Sequence, residues 1–253
     1  MFIDTHCHVL SEYYDNIDDV ILELVSSGAY RIIVNGTDIK SNKEVLRLID
    51  KYDIVYGAIG FHPTELDDFR EEYFDFLEDN IGNPKIVAIG EIGLDYHYDN
   101  TDKEKQIMVF KRQLDIANKF NMPIIVHSRD SIQDTYNILK EYNLRGSIHC
   151  FSGSLEMARE FVKIGYKLGI GGIITYKSAK NIKEVVKNID LSYILLETDS
   201  PFLTPDPYRN LINSPKYIPI IASLVADIKG ISVSDVLEAT TGNAESVFDF
   251  FSK

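Results

Sequence analysis

Short apolar runs and helical stripes alternate along the whole chain. The apolar runs are "FIDTH", "YRIIVNG", "DIVYGAIG", "KIVAIGEIG", "PIIVHS", "GSIHCFSG", "YKLGIGG" and "YILLETD". Each ends in a polar residue or turn and is followed by a segment of helical periodicity. Examples are "DDVILELVSSG", "NKEVLRLIDKY", "EKQIMVFKRQLDIANKF" and "SLEMAREFVKIG". Gly28 and Gly165 fit helix C-caps placed just before the next strand. Eight strands alternating with helices imply parallel pairing through right-handed crossovers. The pattern therefore predicts an α/β fold, a closed (β/α)8 barrel of the TIM type, as one domain over residues 1–253. An open doubly wound sheet is the competitor, but it usually carries fewer strands at this length.

The polar residues fall at particular places in this pattern. His6 and His8 close the first run; two apart in an extended segment, they project to one side with Cys7 turned away. His62 follows the third run, Glu91 the fourth, and His127, His149 and Asp199 mark the ends of the fifth, sixth and eighth. Barrel active sites form at the C-terminal ends of the strands. Satisfied core histidines would also appear in helices and at strand starts, whereas only His97, in a later loop, departs from the strand-end placement. The concentration points to a site.

Composition narrows what that site does. With 45% hydrophobic residues in 253, the chain can bury a sizeable core. Two cysteines, Cys7 and Cys150, make no disulfide framework, and alternation turns both outward toward the helices as small core residues. No signal peptide and no apolar run of about 18 residues is visible, so a reducing cytoplasm and no membrane association are expected. The net charge of −13 argues against a surface that coats nucleic acid. It does not argue against catalysis on DNA, because carboxylates gathered around cations attract phosphate once the cations are bound. DNA would then be engaged weakly and locally, with no obligatory protein partner evident.

Four imidazoles and two carboxylates converging at one mouth are the right parts for two divalent ions. His6 and His8 with Asp199 suit one, His127 and His149 the other, and Glu91 can bridge them through its two oxygens. Nitrogen and oxygen donors suit Zn, Mn or Co, and a carboxylate-rich variant accepts Mg. Asp199 is the candidate general base, since a carboxylate touching both a metal and the nucleophilic water can accept its proton.

The motifs "DTHCH" (4–8), "GFHP" (60–63), "GEIGLDY" (90–96), "PIIVHSR" (123–129), "HCFSG" (149–153) and "ETDSPFL" (197–203) occur in order, with "QIMVFKRQLDIA" (106–117) and "TGNAESVF" (241–248). Together they resemble the TatD family of metal-dependent deoxyribonucleases, a branch of the amidohydrolase-like barrels, essentially from end to end. The resemblance implies metal ligation by His6, His8, Glu91, His127, His149 and Asp199, with Glu91 as the bridge. It implies phosphodiester hydrolysis on DNA, with trimming from the 3′ end. One departure falls in "RNLINSP" (209–215), where the family often has an acidic residue and this chain has Ser214; it bears on substrate preference rather than on metal binding.

His62, Arg129 and Arg209 are candidates for substrate contact. Asp95 is read as orienting a neighbour or capping its loop. Glu197 either shares the face of Asp199 or forms a structural ion pair. Two other function classes compete. One is hydrolysis of a small amide, ester or lactone, or of an aminoacyl-tRNA ester, by the same ligand set. The other is a non-catalytic binding barrel, against which the intact ligand set argues.

Overall fold

The computed structural model describes residues 1–250. Its eight parallel strands follow sequence order around one sheet. They are β1 (Phe2–Cys7), β2 (Ala29–Asn35), β3 (Val55–Ile59), β4 (Ile86–Asp95), β5 (Ile124–Arg129), β6 (Gly146–Ile148), β7 (Lys167–Ile170) and β8 (Ile194–Leu196). All eight apolar runs of the sequence are strands, because residues buried on both faces of a parallel sheet read as continuous hydrophobic stretches. β4 runs further than its apolar run suggests, so Glu91 and Asp95 lie within the strand rather than after it.

Closure between β8 and β1 uses few ladder bonds. Thr5 Oγ1 donates to the carbonyl of Leu196 at 3.1 Å. Just beyond the strands, the amide of Asp199 donates to His6 O at 2.9 Å and that of His8 to Ser200 O at 2.6 Å. The Asp4 carboxylate completes the seam, accepting from the Thr198 amide (3.0 Å), the Thr198 hydroxyl (2.5 Å) and the His6 amide (3.1 Å). Burial pushes the Asp4 carboxyl up to about 8 in spite of these bonds.

Helices α1 (Ile17–Ser26), α2 (Ile39–Lys51), α3 (Tyr73–Asn80), α4 (Lys103–Phe120), α5 (Ile132–Leu139), α6 (Leu155–Lys163), α7 (Lys180–Asn188), α8 (Ile218–Lys229) and α9 (Val233–Val247) complete the chain. Their ends carry the expected local chemistry. Asn16 caps α1, and Asp38 with Ser41 forms a capping box on α2. Gly28 and Gly165, just past α1 and α6, take φ of +93° and +91°, a region that other residues enter only with strain.

Most of the core lies between the strands and the helices. A second cluster fills the barrel interior at the strand starts, where Ile3, Ile33, Val87, Ile125 and Leu195 pack on Val247, Phe248 and Phe250 from the end of α9 and beyond. Phe248 is fully buried there, an enclosure that stabilises by about 1.5–3 kcal/mol. The Arg31–Glu245 ion pair (3.0 Å) and the Arg145 bond to Val247 O (3.0 Å) tie this closing segment to the barrel. With one end of the barrel sealed by apolar residues, the other end is left for the polar strand ends. No helix among the described residues is long and apolar enough to cross a membrane.

Candidate metal centre

At the C-terminal mouth, β1 delivers His6, with His8 just past its end, β4 delivers Glu91 and Asp95, and β5 delivers His127. His149 follows β6 directly, and Asp199 lies in the turn after β8 with φ of +56°. His62 enters from the loop after β3. All six sequence-predicted ligands and His62 therefore meet in one place.

Glu91 is at the centre. Its Oε2 lies 3.4 Å from Nε2 of both His6 and His8. Its Oε1 faces the other side, 2.9 Å from His127 Nδ1, 3.4 Å from His62 Nε2 and 3.6 Å from His149 Nε2. The two oxygens of one carboxylate thus address two different groups of imidazoles. Asp199 Oδ1 stands 3.5–3.9 Å from Nε2 of His6, His8 and His149. The grouping differs in part from the one spacing suggests. His149 stacks on His6, with ring centroids 3.6 Å apart, and sits with His6 and Asp199 as well as with His127 around Glu91.

Hydrogen bonds behind the rings fix which nitrogens are free. His8 Nδ1 donates to Asn35 O at 3.0 Å, which leaves the Nε2 lone pair pointing into the centre. His127 is turned the other way, with Nε2 donating to Asp95 Oδ2 at 3.0 Å and Nδ1 facing inward. His149 Nδ1 lies 3.0 Å from Glu197 Oε1, off the line of a good hydrogen bond. The same Glu197 oxygen also accepts the Cys150 amide at 2.5 Å. His62 stands apart: its Nδ1 accepts the Thr64 amide at 3.2 Å, so its proton sits on the inward Nε2. Four histidines offer a lone pair or a charge-paired nitrogen to the centre, whereas His62 offers a donor.

Electrostatics follow from this crowding. Burial opposes ionisation of Glu91, yet the surrounding imidazoles of His62, His6 and His149 and the bond from His127 hold it well below the usual carboxylate range. Burial works against charge on His8 too, but Asp199 and Glu91 push it up to about 10. His149, similarly opposed by burial, rises to about 9 beside Glu197, Asp199 and Glu91. His6 and His62 go down, chiefly through burial. His6 Nε2 and His8 Nε2 face each other at 3.1 Å, and the buried Nδ1 of His6 has no hydrogen-bond partner. Mutually facing lone pairs around two carboxylates are poorly served by protons and well served by divalent cations, so the donor set fits metal.

The remaining candidates are placed as follows. Asp95 orients His127 and accepts the His97 amide at 2.9 Å, as the sequence reading expects. Gly93 makes that strand crossing feasible, since its φ is +146° and a Cβ would stand 2.0 Å from His127 O. Glu197 is fully buried and serves His149. Arg129 lines the site with its guanidinium 5.8 Å from the Tyr98 ring centre, and among the described residues it enters no ion pair within 4 Å. Arg209 does not line these cavities; its guanidinium stacks 4.0 Å over Tyr176. Ser214 is buried and immediately precedes the turn that leads into α8.

Cys7 is buried as read, donating to Ile33 O. Cys150 is a correction. It turns into a cavity beside His149 because β6 ends at Ile148 and φ at Cys150 is +44°, which breaks strand alternation. Two adjoining cavities, 230 and 500 Å³, open on the centre and share His127, Arg129, His149 and Asp199 as walls together with Tyr98 and Phe202. Neither aromatic was selectable from sequence, since exposed tyrosines and phenylalanines carry no periodic signal. Two further cavities lie beside the mouth around Glu65 and Asp67 and include none of the site histidines.

Comparison with known proteins places the chain in a family. The family model described as "TatD related DNase" matches residues 3–249. An uncharacterized metal-dependent hydrolase, YabD of Bacillus subtilis, is 41% identical over 98% of this chain and 99% of its own length. The crystal structure of YjjV, a TatD homologue from Escherichia coli, superimposes with a TM-score of 0.91 at 31% identity, covering 98% of both chains. A TatD-family hydrolase from Entamoeba histolytica gives 0.85 at 26% identity, again over 98% of each. With its barrel, its mouth of imidazoles and carboxylates, and a family match over nearly its full length, the chain belongs to the TatD family of metal-dependent hydrolases.

Proposed function

We propose that this chain hydrolyses phosphodiester bonds in DNA, trimming from the 3′ end, with two divalent ions held by His6, His8, Glu91, His127, His149 and Asp199. The observation that carries the reading is the division of Glu91, whose two oxygens face separate groups of imidazoles. A residue placed in that way suits a bridge between two ions. Such ions, when bound, supply Lewis acidity to the phosphate and acidify water.

The chain's own groups have separable tasks. Asp199 directs Oδ1 at the imidazoles, and its carboxylate accepts the proton of the attacking water. Its ionisation is secured despite burial, because His149 and His8 hold it below the usual range. His62 presents an N–H toward Glu91 and the 230 Å³ cavity, where it would donate to a non-bridging phosphate oxygen. Arg129 supplies a cation at the cavity wall that no carboxylate holds within 4 Å among the described residues. Arg209 would meet only parts of a strand lying outside the two cavities.

The charge of −13 and so few cations at the mouth support weak, local binding. The dependence of binding on salt should be shallow, about 0.7 in log–log slope for each phosphate contacted on a single strand. A slope of many units would reveal an extended groove. The 500 Å³ cavity, with Leu203 and Phe202 in its wall, also favours a second reading, hydrolysis of a small ester or amide. Metal-reconstituted protein assayed on labelled single-stranded DNA, a base-free phosphodiester, an aminoacyl-tRNA and small amides tests both. Turnover of amides or aminoacyl-tRNA without turnover of DNA would overturn the first reading.

A further inference from the structure

The two cavities at the mouth differ in size and chemistry. The smaller, 230 Å³, includes His8, His62, Glu65, Glu91 and Asp95. The larger, 500 Å³, includes Ser128, Cys150, Ser152 and Leu203. Only the larger falls within the roughly 300–1,000 Å³ typical of ligand sites. The smaller carries most of the ionisable groups of the centre and suits the phosphate, and it shares Tyr98 and Phe202 with the larger.

Two exposed rings flank the larger cavity from different loops. Tyr98 follows β4 and is 53% exposed; Phe202 follows β8 and is 48% exposed. The two rings are walls of one cavity rather than scattered surface residues, which makes them a candidate contact for a ligand. Phe202 is held in place rather than loose, edge-on to Tyr13 at 5.5 Å and to His8 at 6.1 Å between ring centres. Arg129 lines the same cavity, 5.8 Å from the Tyr98 ring centre, and among the described residues it forms no ion pair within 4 Å. Ser152 is exposed at the rim and leaves its hydroxyl for polar edges. The wall thus offers aromatic rings, one cation outside any close ion pair and hydroxyl groups, which suits a nucleotide.

We infer that the larger cavity is a nucleobase subsite in which Tyr98 and Phe202 stack on the base beside the scissile phosphate, so that the enzyme recognises a base by its face and reads no particular sequence. The inference rests on the DNA reading above. Stacking on an aromatic ring is tolerant of base identity and contributes about 5–150-fold per base. The acidic surface supplies little backbone affinity, so stacking becomes the main hold on the strand end.

The test compares single-stranded oligonucleotides that end in a normal or an abasic nucleotide, with a base-free phosphodiester as a third substrate. Wild-type protein should prefer the normal end by about 5–150-fold in kcat/KM, mostly through KM. Phe202→Leu and Tyr98→Leu, which keep an apolar side chain and remove the ring, should shrink that preference toward unity. A fluorescent 2-aminopurine at the strand end should be quenched on binding to wild type and less quenched by either variant. Cleavage of oligonucleotides with no preference for the base, or a preference unchanged in both variants, overturns the subsite. Hydrolysis of the simple phosphodiester with no binding or cleavage of oligonucleotides overturns the DNA reading itself.

Discussion

At the strand starts, Ile3, Ile33, Val87, Ile125 and Leu195 close over Phe248 and Phe250, and the contacts are apolar. A few residues further on, Glu91, His6 and His8 are buried almost as deeply and are ionisable, with His127 half-buried beside them. The first arrangement is held by non-directional burial, in which each group contributes on its own. The second holds only by mutual compensation, because each buried charge is tolerable while its partners remain. A defect at the strand starts should therefore cost stability and leave the chemistry alone. A defect at the mouth should do the reverse, or should leave the remaining charges uncompensated.

The largest expected effect breaks the mouth without touching the apolar end. Asp199→Asn keeps size and an oxygen but removes charge and basicity, and turnover on DNA should fall about 10²–10⁴-fold. Metal content, measured alongside, must be retained for the loss to be assigned to proton transfer. Near-normal turnover with metal in place would reduce Asp199 to a ligand. The complementary lesion is Phe248→Ala, expected to cost about 3–5 kcal/mol in denaturant unfolding. Activity per folded molecule should stay at the wild-type level, and a large fall there would mean that the two ends are coupled.

Glu197→Gln sharpens the comparison, since it alters a carboxylate that supports His149 from behind. Removal of such a supporting group typically weakens metal affinity 10–100-fold. Competition with a chelator measures it, and unchanged affinity would make Glu197 a purely structural anchor for the Cys150 amide. The smallest effect concerns pH. In metal-free protein His8 and His149 have folded pKa values of about 10 and about 9, above the unfolded value of about 6.5. Their pairing stabilises fully below that unfolded value and is lost as pH rises through 9–10. Metal must displace those protons, so the rise in Tm on adding Mn²⁺ should grow from pH 6 to pH 9. A gain independent of pH would show that the imidazoles carry no proton to be displaced.

Much of the fold and the candidate site was legible because parallel barrels write themselves into sequence as repeated apolar runs. His6, His8, Glu91, His127, His149 and Asp199 could be placed at one face from strand order alone. What escaped depends on single dihedral angles and on hydrogen bonds between distant loops. Cys150 turns inward through one positive φ, which no alternation rule anticipates. The proton on the inward nitrogen of His62 follows from the Thr64 amide, a contact that spacing does not reveal. Tyr98 and Phe202 come to line the same cavities from loops after β4 and β8, and neither segment has a period to betray it.

The seam where the chain meets itself has a consequence for synthesis. Asp4 is bonded to Thr198 across 194 positions, and His6 O holds the amide of Asp199. His6 and His8 thus find Glu91 within the first half of the sequence but their second carboxylate, Asp199, only in its last quarter. A truncated or half-translated product contains most of the ligands and still lacks the complete centre. The complete ligand set is assembled only when the final strand is home, so the centre forms late in the folding of the chain.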